Sequence, residues 1–121
     1  MLTTLLRRDR EVALWWGSPV ECQSALHRAR REGILAASPL REALLRLDML
    51  VANVDIVAPS GSLRDRASRL VAVHPLRAAD ALQLAAALVS SEATPHGDGF
   101  VTLDDRLRTA ARAEGFTVLP E

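Results

Sequence analysis

The chain has 121 residues, a formal net charge of zero and one cysteine, Cys22. That length holds one domain and is too short for two. The single thiol excludes an intramolecular disulfide framework and carries no sign of an oxidising compartment. Balanced charge argues against a strong overall positive field for nucleic acid, but it does not exclude a local basic groove.

All of the cations are Arg, a residue suited to bidentate phosphate contacts. With abundant Ala and Leu, the same bias also reads as codon usage. The opening Met1-Leu2-Thr3-Thr4-Leu5-Leu6-Arg7-Arg8 has no long apolar core and no small-residue cleavage site, so it does not read as a signal peptide. No apolar run is long enough to cross a bilayer. A soluble, cytoplasmic protein without membrane contact is the expectation.

Residues 1–10 read as the back half of a helix, and 11–16 as a short buried strand broken by Gly17 and Ser18. Ser18-Pro19-Val20-Glu21 predicts a helix start, with Ser at the N-cap, Pro at the first helical position and Glu at the third. That helix is expected to reach Glu32 and stop at Gly33. Ser38-Pro39 predicts the next helix, with Leu40, Leu44, Leu47 and Val51 on one face. A strand is predicted over 54–58, a helix over 63–73 ended by His74-Pro75, and an apolar helix over 76–90. Residues 91–98 read as loop, 100–103 as strand, 105–114 as a helix stopped by Gly115, and 116–119 as a last strand. Short apolar strands alternating with helices predict an α/β domain with a mostly parallel sheet covered by helices. In such sheets the functional crevice lies beyond the carboxyl ends of the strands, where Glu21 and Asp104 fall by chain order.

Three acids carry the chemistry, and each has a plain alternative. Asp80 sits in an apolar helix with Leu76, Leu84 and Ala87 on its face, and an ionised carboxylate there needs a partner, a metal or an exposed mouth. The alternative is a helix-dipole contact or a pair with Arg77. Glu21 equally fits the third position of a capping box. Asp104 and Asp105 follow a strand, where one can cap the helix while the other faces the crevice. His27, His74, His96 and Cys22 show no zinc spacing. Cys22 reads as core, and Trp15 and Trp16 as strand packing rather than base stacking. There is no phosphate loop, nucleophile elbow or dinucleotide fingerprint.

Glu21-Cys22-Gln23-Ser24-Ala25-Leu26, the segment 76–87 around Asp80, and Phe100-Val101-Thr102-Leu103-Asp104 through Phe116 together resemble the PIN domain family, in particular its VapC-type toxin–antitoxin ribonucleases. The resemblance covers nearly the whole chain. It implies a three-layer α/β/α fold and a Mg²⁺- or Mn²⁺-dependent nuclease acting on RNA. Matched residue by residue, it makes Glu21, Asp80 and Asp104 catalytic metal ligands, Asp105 an accessory ligand and Thr102 the accessory residue beside the last acid. Arg77 and Arg106 would contact RNA phosphate. An antitoxin protein and a second copy in a dimer are the implied partners.

Family members open with a central strand ending in Asp, followed by a helix, and this sequence starts after both. Asp9, within Arg7-Arg8-Asp9-Arg10, does not replace that acid. A metal-dependent ribonuclease that is weak or inactive in this form is therefore expected. The alternatives are a catalytically inactive PIN-like protein acting by binding an antitoxin or itself, or an unrelated doubly wound module whose acids only cap helices.

Overall fold

A computed structural model describes residues 4–6, 12–92 and 95–121. The elements run β1 (Thr4–Leu6), β2 (Val12–Trp15), α1 (Ser18–Arg31), α2 (Ala37–Ala52), β3 (Asp55–Val57), α3 (Gly61–Val73), α4 (Ala78–Ser90), β4 (Gly99–Val101), α5 (Asp105–Ala113) and β5 (Thr117–Leu119). The predicted α/β class is therefore present. No described helix is long and apolar enough to cross a membrane.

The sheet order is β3-β2-β1-β4-β5. Two parallel pairs, β2 with β3 and β4 with β5, flank a central strand. That central strand is the main correction to the sequence reading. Residues 4–6 are extended rather than helical, and the position expected to lack a strand is filled by β1, antiparallel to both β2 and β4. Chain length gives the reason. Only residues 7–11 join β1 to β2, and a parallel crossover needs a dozen residues or more, so the short link permits only an antiparallel neighbour. The remainder of the predicted helix over 1–10 lies outside the described residues.

The parallel pairs follow from their connections. α1 and α2 carry the chain from β2 to β3, and α5 carries it from β4 to β5. Ala13, Leu63, Leu70, Ala81, Leu84, Ala85, Leu88, Phe100, Leu107 and Ala111 are central members of one buried cluster. Leu14 follows Ala13 and so faces the other side of the pleat, where it is also buried; both faces of β2 are covered. The run of small residues in α4 lets this helix sit deep, in contact with β2 and α3.

Local signals shift by a residue or two. Gly17, not Ser18, is the N-cap of α1, and no side chain caps it. The Trp15 indole packs so tightly on Gly17 that a Cβ there would meet Nε1 at 2.7 Å, so the position admits only glycine without a shift of the ring. Ser38 likewise falls inside α2, whose N-cap is Ala36. This is possible because Pro39 remains in the first turn, where a missing N–H is not felt. α4 begins at Ala78 with Arg77 extended at its cap. Gly33 and Gly115 end their helices at φ +75° and +104°, as predicted for C-terminal stops. Trp16 does not pack into the sheet: it is 60 % exposed and stands edge-on to Trp15, because β2 ends at Trp15. Cys22 is half-buried, and burial pushes its thiol up.

At the opposite end of α3, Glu114 receives Arg69 Nη2 at Oε1 and meets His74 Nε2 at 2.8 Å through Oε2. This joins the C-terminal ends of α3 and α5. Burial alone would raise the Glu114 carboxyl, but the two partners outweigh it and hold the group below its ordinary value.

Candidate active site

Glu21, Asp80, Asp104 and Asp105 line one open cleft of about 850 Å³. The cleft is also lined by Thr102, Arg77 and Arg106, and by three polar residues not singled out from sequence: Ser24, Arg28 and Gln83. All of the sequence-predicted site residues thus meet in one place. Each acid arrives on a different element: Glu21 on the first turn of α1, Asp80 on the first turn of α4, and Asp104 where the chain leaves β4 for α5.

The structure bears on the capping readings of Glu21 and Asp104. Glu21 is not a capping-box residue, since α1 has no side-chain cap; its Oε2 instead accepts from Gln83 Nε2 at 2.9 Å. Asp104 is an N-cap: Oδ1 accepts from Leu107 N at 2.9 Å. A carboxylate has lone pairs to spare, so Oδ2 is left for another role.

The turn holding Asp104 is braced from several sides. Thr102 is buried, its Oγ1 accepts from the Asp104 N–H at 3.2 Å, and its N–H donates to Leu119 O at 3.0 Å. Arg108 donates from Nη1 to Thr102 O at 2.9 Å and from Nη2 to Pro120 O at 2.6 Å. Thr102 therefore acts on the cleft through the backbone of Asp104.

Asp80 is half-buried. Its place near a helix N-terminus favours charge, yet its carboxyl lies above the ordinary value of 3.8. Burial is the larger cause, the charge of Asp104 adds to it, and Arg77 opposes both. Glu21 is also raised, first by burial, with the Gln83 hydrogen bond opposing and the Asp80 charge adding. The acids thus interact in sequence, Glu21 with Asp80 and Asp80 with Asp104, across three elements. Compared with family models, curated proteins and solved structures, the chain gives no match.

Whether these residues suit a divalent cation is a question of donor chemistry. Mg²⁺ and Mn²⁺ prefer carboxylate oxygens, and Mg²⁺ keeps several waters while taking only one or two carboxylates directly. Among the described residues, no three His, Cys, Asp or Glu side chains are drawn together tightly enough to hold an ion. The mutual repulsion of the acids is nonetheless of the kind a cation relieves. The oxygen donors are of the type a hard, hydrated cation prefers.

The three overlooked residues had a signal in helical spacing. Gln83 lies one turn from Asp80, while Ser24 and Arg28 lie one and two turns from Glu21.

Proposed function

We propose that the protein is a Mg²⁺- or Mn²⁺-dependent endoribonuclease of the PIN, VapC-like class, with a three-layer arrangement. The observation carrying this reading is the convergence of Glu21, Asp80 and Asp104 on one cleft, each delivered by a separate element.

In this reading Glu21, Asp80 and Asp104 hold the ion, with Asp105 accessory, largely through water. When bound, the ion supplies an activated water and positive charge at the phosphate. The protein's part is to fix the acids and receive the strand. Thr102 and the capping bond of Asp104 hold one side of the cleft, and Gln83 holds Glu21 on the other. Arg28, Arg77 and Arg106 place guanidinium groups along the same cleft, where they can take phosphate oxygens bidentately.

The test is a cleavage assay on single-stranded RNA with Mn²⁺, with chelator, and with the Asp80→Asn variant. Cleavage that needs Mn²⁺ and is lost in the variant is expected. Cleavage indifferent to chelator, or none by the unaltered protein at any Mn²⁺ concentration, would overturn the reading.

A second reading has its own observation. α2 packs mainly on α1, and between them lies a hollow of about 400 Å³ lined by Cys22, Ala25, Leu26, Ala43, Leu47 and Leu50. Leu45 and Met49 on α2 and Ile34 in the turn before it are exposed. An inactive PIN-like protein that binds an antitoxin, or a second copy of itself, would use such a face. Concentration-dependent mass with no cleavage would favour it.

A further inference from the structure

Gln83 occupies a position in α4 where an apolar residue would be simplest. It is 9 % exposed, and its helix neighbours Ala81, Leu84, Ala85, Ala86 and Ala87 are buried in the core. Its Nε2 donates to Glu21 Oε2 at 2.9 Å. A carboxylate only accepts, so the amide has one workable orientation, with nitrogen toward Glu21 and oxygen away. That orientation leaves Gln83 Oε1 buried with no hydrogen-bond partner.

The two consequences are of similar size and opposite sign. A hydrogen bond to a charged group stabilises, and an unsatisfied buried acceptor destabilises by a comparable amount. Gln83 therefore gives the fold little that an apolar side chain of the same length would not. What such a side chain could not do is grip Glu21. Gln83 also lies one helical turn from Asp80, so its amide ties the acid of α1 to the helix that carries the central acid.

We propose that Gln83 is the positioning residue of the cleft, holding the Glu21 carboxylate by one oxygen so that the other stays presented beside Asp80. The role rests on the metal-site reading above, but the hydrogen bond can be tested without metal.

Gln83→Met keeps the chain length and removes the amide, and Gln83→Leu serves as a second variant should the first fail to fold. Manganese affinity is read by calorimetry and stability by thermal melting. The expected result is a 10- to 100-fold loss of Mn²⁺ affinity, as for removal of a residue that orients a ligand, with the melting temperature unchanged or higher. In a Glu21→Gln background, Gln83→Met should cause no further loss, since the two residues act as one unit. Unchanged Mn²⁺ affinity in the single variant, or the same fold-loss in both backgrounds, overturns the proposal. A lower melting temperature with unchanged affinity assigns Gln83 to packing alone and overturns it too.

In the metal-free protein, the side-chain amide NMR signal of Gln83 should move on Glu21→Ala. A stationary signal overturns the proposal regardless of metal. A signal that moves in a protein that binds no Mn²⁺ upholds the positioning of Glu21 and sinks only the metal-site reading.

Discussion

The charge of Asp104, at the entry to α5, raises the proton affinity of Asp80 on α4 across the cleft. Burial is the larger cause of that rise, the Asp104 charge adds to it, and Arg77 tempers both.

The first prediction concerns Asp80→Asn. Asn keeps the shape and removes the charge, so the fold should persist while Mn²⁺ binding is lost. Because the folded carboxyl of Asp80 is raised, the folded state binds protons more readily than the unfolded one. Metal-free stability should therefore decline as pH rises from the ordinary value of 3.8 through the folded value. The variant escapes this decline. Above that window it should be slightly more stable than the unaltered protein, by less than about 1 kcal/mol because the half-buried group is still partly screened by solvent. Below pH 3.8 the difference should vanish. Denaturant titrations at several pH values check the sign, and outright unfolding of the variant would assign Asp80 a structural role.

Asp104 should separate into two functions under two substitutions. Asp104→Asn retains an oxygen for the Leu107 N–H and should keep stability while weakening Mn²⁺ binding. Asp104→Ala removes the cap as well and should cost about 1 kcal/mol more. Paired melts and metal titrations would reveal the split, and equal stability of the two variants would contradict the capping role.

Away from the cleft, Glu114→Gln should destabilise the protein by about 1–2 kcal/mol at neutral pH, since charge-assisted bonds to Arg69 and His74 are lost and Arg69 is half-exposed. The sign runs opposite to that of Asp80. The folded Glu114 carboxyl is depressed, so its contribution is present above the ordinary value of 4.5 and is lost as pH falls through the folded value. The unaltered protein and the variant should converge in stability at low pH. A gap that persists there would point to packing rather than charge.

For nucleic acid, Arg28→Ala, Arg77→Ala and Arg106→Ala should each weaken binding of a single-stranded oligoribonucleotide and flatten its salt dependence. The slope of log affinity against log salt should fall by about 0.7 per lost phosphate contact. Fluorescence anisotropy in chelator, where cleavage is suppressed, measures this. A slope unchanged in all three variants would remove these arginines from the interface.

The elements flanking the cleft were legible in the sequence because their signals are local and strong. The α4 segment is apolar around one acid, and the Thr102-Leu103-Asp104 step from strand to helix carries its own cap. The strand β1 was not legible, since Thr4-Leu5-Leu6 is too short to show a period and an apolar triplet fits helix or strand equally. Its pairing with β4 is decided by partners remote in sequence. Gln83 was missed for a different reason. Its spacing of one turn from Asp80 was the sole local signal, an uncharged amide adds no other, and its partner Glu21 lies 62 positions away. The helix start fell one residue early, at Gly17, where the close Trp15 indole leaves no room for a side chain.

The antiparallel insertion of β1 has a metrical consequence. α1, bearing Glu21, springs from β2, and Asp104 follows β4; β1 stands between those two strands. Neighbouring strands lie about 4.8 Å apart, so the two banks are offset by roughly 10 Å of backbone pitch. Direct bonds from a bare Mg²⁺ reach only about 2.1 Å on each side. The spacing of these two backbone banks is thus ruled by main-chain hydrogen bonds, and the side chains of Glu21 and Asp104 have to span it. Three residues, Thr4–Leu6, act as the shim that keeps the banks apart.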